Sequence, residues 1–470
     1  MLFPTPSFAI FFVAVFIGGW MVFTGRTSWR VFVLLASYVF YAFFDPWFLV
    51  LFLAATGIGW LCTREIAARG PGTAAARLVM GLGVAAHVAV LIWFKLFGFF
   101  SASAQTLLTT LSVDATWTVL QVVIPVGISF LMFRGIAAIV DVYRGDAEAP
   151  ELLDYALFMA FFPYVAAGPI VRLAEVVPQW AARCEPSRLA ATQGFLLIAG
   201  GLVKKMLVAD YLARVAVDEV FAAPHLFGSA DVLAGVYAYA AQIYCDFSGY
   251  TDMAIGIALL LGITLPLNFD SPYAARSLQT FWRSWHMTLS RFLRDYVYIP
   301  LGGNRRGTFR TYLNLILTMV IGGLWHGAGL TFIIWGLLHG VGLVVERAAK
   351  GWSAMRERVA IPAPLAWFLT FQFVCVAWVF FRADSVGTAL AVLGRSFTAW
   401  DVPATLPAAV WVLVAAVVAV QFVPPTVRES LRDTFWALRP VAQAAALALV
   451  LFVVSALSPE GPAAFIYAGF

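Results

Sequence analysis

FWRSWHMTLSRFLRDYVYIPLGGNRRG, residues 281–307, and GGLWHGAGLTFIIWGLLHG, residues 322–340, decide how this chain is read. Three of its five histidines lie in these two runs: His286, His326 and His339. Arg283, Arg291, Arg294, Asp295, Arg305, Arg306 and Arg310 stand close by, and apolar runs flank the stretch on both sides. Ionisable groups are costly near lipid, so such a cluster reads as a site facing a protein interior or a water-filled cavity. The remainder of the chain reads as the wall around it.

The composition sets that reading. Of 470 residues, 62% are hydrophobic and 12% charged, with mean hydropathy +0.88. A soluble domain is nearer half apolar and a quarter charged, so this is a polytopic membrane protein. At roughly 20 residues per span, the apolar length allows about ten to twelve helices. The net charge of +5 fits basic cytoplasmic loops and does not call for nucleic acid. Cys62, Cys184, Cys245 and Cys375 are scattered with no CxxC spacing, which predicts buried free thiols.

The first apolar run, residues 6–23, has no cationic region ahead of it, as a cleaved signal would. It reads as a retained helix, with Arg26 and Arg30 placing the next loop in the cytoplasm. His87, alone among Ala and Val, reads as a core histidine, and Lys95 as a snorkelling cation. A helix is expected from Trp117 to Val140 with Arg134 deep inside it, either paired structurally or part of a site. Pro163 and Gly168-Pro169 predict a broken, re-entrant piece, tolerated at membrane depth only where protein or a cavity surrounds it. Residues 190–209 form a helix meeting Lys204 and Lys205. Residues 230–265 carry Gln242, Asp246, Ser248, Thr251 and Asp252, an unusual load of polar groups for an apolar segment.

Imidazole can take and return a proton near neutral pH. His326 stands among glycines, which let backbone approach a ligand or a neighbour closely; from the residues alone, a catalytic and a packing role are equally open. The arginines near His286 suit either anionic lipid or a phosphorylated cofactor. His339 lies 13 residues past His326, about 20 Å along a continuous helix, which excludes it from the same site unless the helix breaks at Gly327 or Gly329. No P-loop, GxSxG, HExxH or GxGxxG is present, and no metal site is expected.

Asp246-Phe247-Ser248-Gly249-Tyr250, Phe281-Trp282-Arg283 with Trp285-His286, Arg294-Asp295-Tyr296, Tyr298 through Arg305 and Gly322-Gly323-Leu324-Trp325-His326-Gly327-Ala328 resemble the membrane-bound O-acyltransferase (MBOAT) family. The branch they resemble holds alginate O-acetyltransferase, the peptidoglycan and cellulose O-acetylation proteins, and the D-alanyl transfer protein of teichoic acids. Pro125 through Phe130, Asp141-Val142-Tyr143-Arg144, Phe162-Pro163 with Ala167 through Ile170, Lys204-Lys205 and Trp378 through Ala383 follow in the expected order. Arg134 stands where an uncharged residue is expected, and Ala468-Gly469 depart from the branch's tail.

The resemblance implies an all-α bundle around a central funnel or tunnel, with re-entrant pieces, as one domain over residues 1–470. Its family core is about residues 117–383, with N-terminal helices in 1–116 and C-terminal helices and tail in 384–470. It implies His326 and His286 as catalytic residues. Arg305, Arg306, Lys204 and Lys205 are candidate grips for coenzyme A phosphates, and Asp246, Asn304 and Trp325 candidate channel residues. The function implied is O-acetylation of an extracytoplasmic polysaccharide such as alginate, with acetyl-CoA as donor and no permanently bound cofactor; peptidoglycan or cellulose are the alternatives. A transporter is the alternative outside enzymology, disfavoured because no paired half-repeat is visible. Roughly 50 residues is the most any polar loop offers, too little for an extracytoplasmic catalytic domain, so a separate periplasmic acetyltransferase partner is expected. The setting is the bacterial inner membrane, with lipid around the chain.

Overall fold

The computed structural model describes residues 1–111, 123–182, 185–356, 361–458 and 463. The expected helix start at Trp117, Cys184 and the tail positions 459–462 and 464–470 lie outside the described residues. Among those described, all regular structure is helical. Among the described residues, five helices are long and apolar enough to cross a membrane: Pro46–Arg69, Ala74–Thr110, Leu330–Ala349, Ala363–Arg382 and Pro440–Leu457. Ala408–Val420 and Pro425–Ala437 pass together as one span bent by 97°. That is fewer than the ten to twelve suggested by apolar length. Much of the remaining apolar sequence is cut into shorter helices, such as Pro6–Ile17, Arg26–Ala42, Ile128–Arg144 and Leu152–Ala160. Trp47, Ile10, Leu82 and Val441 lie exposed on helix flanks, an arrangement that suits lipid and would be costly in water.

The chain forms two compact units, one holding Met1–Ile198 and Tyr250–Pro266, the other Ala199–Gly249 and Leu267–Ile466. In the first, the expected break at Pro163 is present: the helix Leu152–Ala160 stops, and a four-residue turn, Phe162–Val165, follows. A helix end leaves carbonyls without partners, and here side chains supply them. Tyr164 Oη donates to the carbonyl of Phe158 at 2.8 Å. Arg134 donates from Nη2 to Met159 O at 3.1 Å and from Nη1 to Tyr164 O at 3.3 Å. The Phe162 N–H donates to Ser37 Oγ at 3.1 Å. The Arg134 guanidinium also lies 5.0 Å from the Tyr164 ring centroid. The two readings left open for Arg134 resolve to a structural one: it is the donor that lets a helix end inside an apolar interior. Gly127, at φ +73°, precedes the Arg134 helix, and a Cβ there would meet the Val165 carbonyl at 2.5 Å. His87 is a core residue, its Nδ1 2.8 Å from Gly83 O and its ring lying against Gly135.

In the second unit the helices Thr308–His326 and Leu330–Arg356 form an antiparallel hairpin. Glycines set how closely the two backbones approach. A Cβ on Gly323 would fall 2.3 Å from Phe332 O, one on Gly336 2.5 Å from Met319 O, and one on Gly340 2.8 Å from Ile316 Cα. Gly336 and Gly340 make the four-residue spacing of small residues that membrane helices use to pack closely. The glycines around His326 thus serve a neighbouring helix. Ala363–Arg382 packs against this hairpin through Trp378 and Phe381, whose rings lie 5.9 and 5.3 Å from Trp335.

Replacing Gly336 with Ala should destabilise the protein by about 1–3 kcal/mol, because backbone rather than a flexible side chain must yield. Gly57 has no heavy atom within 4 Å of a built Cβ, so Gly57→Ala should leave stability equal or raise it by up to about 1 kcal/mol. Thermal unfolding of both variants in detergent checks the contrast.

Candidate active site

His286 occupies the turn between two short helices, Leu278–Ser284 and Met287–Leu293. Its φ of 40° lies in the left-handed region, which a non-glycine residue adopts at a cost of order 1 kcal/mol and only when its surroundings require it. Those surroundings centre on Asn268. The backbone carbonyl of Asn268 accepts the Met287 N–H at 2.9 Å. Its side-chain Oδ1 accepts the Thr288 N–H at 3.2 Å and the Thr288 hydroxyl at 2.9 Å, and lies 3.1 Å from His286 Nδ1. His286 is completely buried, in a turn outside every candidate span. Burial disfavours the charged ring and lowers its pKa to about 3. The Phe247 ring stands edge-on at 4.6 Å.

His326 is the last residue of its helix, also buried, and aromatic rings wall it in. Trp325 lies at 4.6 Å, Phe381 at 4.9 Å and Trp335 at 5.1 Å between centroids. Trp325 also stands 6.2 Å from His286, so one indole neighbours both histidines. For His339 the exception allowed by the spacing is met. The helix does break at residues 327–329, so the 20 Å separation of a continuous helix does not apply. Trp335 contacts both rings, 5.1 Å from His326 and 5.0 Å from His339, which brings the two imidazoles within about 10 Å of each other. His339 is nonetheless occupied in packing: Trp282 donates its indole N–H to Nδ1 at 3.3 Å, and Phe281 stacks on the ring at 6.1 Å.

The candidate cations divide sharply. Lys205 is buried in the segment Val203–Ala209 between two buried carboxylates, in ion-pair contact with Asp246 and 2.9 Å from Asp210. Its charge is matched inside the protein, and Asp246 faces this lysine. Lys204, half-buried, donates to Ser248 Oγ at 3.2 Å and lies 5.8 Å from the Tyr244 ring centroid. Asn304, Arg305 and Arg306 are exposed on a turn at residues 302–307, whose Gly303 carbonyl accepts from Asn314 Nδ2 at 3.0 Å. Among the described residues no group of three His, Cys, Asp or Glu side chains could hold a metal ion.

The family model for membrane-bound O-acyltransferases matches residues 80–383. The chain belongs to the membrane-bound O-acyltransferase family. It is 41% identical over 399 residues to a Pseudomonas aeruginosa protein named probable alginate O-acetylase, covering 85% of this chain and 75% of that one. It is 38% identical over 424 residues to the peptidoglycan O-acetyltransferase of Helicobacter pylori, covering 84% and 79%. The teichoic acid D-alanyltransferase of Bacillus subtilis is 29% identical over 276 residues, covering 54% and 68%. This O-acyltransferase is therefore a multi-pass membrane enzyme of the alginate O-acetyltransferase-like branch.

Asn268, Trp335 and Phe381 escaped the reading of the sequence as site neighbours. Asn268 is a single amide between Leu267 and Phe269, and no spacing rule ties it to a turn 18 residues on. Trp335 reaches His326 only because the intervening chain reverses.

Replacing Lys205 with Met should destabilise this acyltransferase by about 3–5 kcal/mol, because buried Asp210 and Asp246 would lose the cation between them. Changing both aspartates to Asn in the same chain should recover much of the loss. The yield of folded protein from membranes, read by size-exclusion profile, checks this.

Proposed function

We propose that this acyltransferase takes an acetyl group from acetyl-CoA at the cytoplasmic face of the bacterial inner membrane and passes it through the protein for O-acetylation of an extracytoplasmic polysaccharide, alginate or a related glycan. The observation that carries the reading is the pairing of two buried histidines, each on a helix terminus, around the single indole of Trp325. A buried, walled site suits acyl transfer because it keeps water from hydrolysing the donor. The names of the relatives support the class of chemistry: one is named a probable alginate O-acetylase and another a peptidoglycan O-acetyltransferase.

In this reading His326 acts on the acyl group, either by taking the proton of an attacking hydroxyl or by carrying the acetyl group between two transfers. His286 serves beside it through Nε2. Arg305 and Arg306, exposed on their turn, are the cations open to coenzyme A phosphates, with Lys204 nearer the interior; Lys205 is engaged with Asp210 and Asp246. A separate extracytoplasmic partner protein completes transfer to the polymer.

Membrane vesicles supplied with radiolabelled acetyl-CoA and polysaccharide test this. His326→Ala should reduce transfer at least about 100-fold with unchanged protein in the membrane. Transfer at the wild-type rate in that variant would defeat the proposal. Mass spectrometry of surface glycans from a deletion strain should show loss of acetyl groups from one polymer, which identifies the acceptor.

A further inference from the structure

We infer that Asn268 is the positioning residue that fixes His286 in the tautomer protonated on Nδ1, so that Nε2 carries the lone pair. The inference follows from which atoms can donate. The Thr288 backbone N–H can only donate, and it points at the Asn268 side-chain atom 3.2 Å away. That atom is therefore the carbonyl oxygen, not the amide nitrogen, and the usual ambiguity of an asparagine side chain is removed. An oxygen that accepts from Thr288 N and Thr288 Oγ1 also stands 3.1 Å from His286 Nδ1. A carbonyl oxygen has no proton to give, so the histidine nitrogen donates. A neutral imidazole has one N–H, and here it is on Nδ1.

The chemical consequence falls on Nε2. Polarising a thioester carbonyl requires a donor, whereas a neutral ring held this way offers an acceptor. It can receive a hydrogen bond or a proton from a hydroxyl or thiol, and it cannot polarise a carbonyl through Nε2. The same amide holds the turn itself. Through its backbone carbonyl and Oδ1, Asn268 grips residues 286–288, the segment that keeps His286 at φ 40°. A purely structural cap would need only the contacts to Met287 and Thr288. The contact to the ring adds nothing to the backbone, and it is the one that sets the chemistry of the histidine. The catalytic consequence rests on the proposed acetyl transfer; the tautomer does not.

Nitrogen-15 NMR of the full-length protein labelled at histidine, with the His286 signals assigned by their loss in His286→Gln, reads the tautomer directly. The wild type should show Nδ1 protonated and Nε2 unprotonated. Asn268→Leu, which removes the acceptor at similar volume, should lose that state, and acetyl transfer in vesicles should fall about 100-fold. Thr288→Val, which removes a different bond to the same oxygen, should keep the wild-type tautomer. A wild-type ring protonated on Nε2 would overturn the inference, as would an unchanged tautomer in Asn268→Leu. The same change in Thr288→Val would also overturn it, because the effect would then follow general loosening of the turn. Because the resonances require no turnover, absence of acetyl transfer by wild-type protein would defeat the proposed function and leave Asn268 to be judged by the spectra.

Discussion

A membrane interior offers no water to satisfy a backbone N–H or C=O, so every interruption of a helix must find partners in the protein. This chain interrupts its helices often, and each break carries its own solution. At Phe161, Arg134 and the Tyr164 hydroxyl supply donors to the stranded carbonyls, and Ser37 accepts an N–H. At the buried His286 turn, which lies outside the candidate spans, Asn268 likewise takes the N–H groups of the helix that follows. At residues 327–329, extended Gly327 and the glycines along both arms let two helices reverse at close range.

The histidines stand where these interruptions occur. A residue at a helix end is held by both the helix and the turn, so its side chain has a fixed direction. His286 precedes one helix and His326 ends another. Trp325 beside His326 and Trp335 in the returning arm then become walls rather than surface. Pre-organisation of this kind is what acyl transfer needs, since reacting groups must be held in place before charge develops. Charge is handled separately. Lys205 is matched by Asp210 and Asp246 in the interior, while Arg305 and Arg306 remain at an exposed turn.

Part of this was legible from residues. The proportion of apolar sequence requires a membrane, and Pro163 marks a break because proline clashes with the preceding helical turn. The ordered motifs around Trp325-His326-Gly327 carry the family, and they single out His326 and His286. Other parts needed the folded chain for physical reasons. Apolar length cannot tell one long helix from several shorter ones, and among the described residues five helices are long and apolar enough to cross a membrane. Whether His339 lies near His326 turned on a break at Gly327 or Gly329, which spacing left conditional and the structure shows. Lys204 and Lys205 looked alike as adjacent cations, yet one is half-buried beside Ser248 and the other is sealed between two carboxylates.

The sequence by itself determined the class of the protein and the helical fold and marked two histidines as candidates, because hydropathy, proline and an ordered set of motifs are properties of residue order. Only the tertiary structure decided what surrounds those histidines. Asn268 precedes His286 by 18 residues and Trp335 follows His326 by nine, and neither distance predicts contact. Their roles arise when the chain folds back, since a hydrogen bond of 3.1 Å or a ring contact near 5 Å depends on where two segments meet in space.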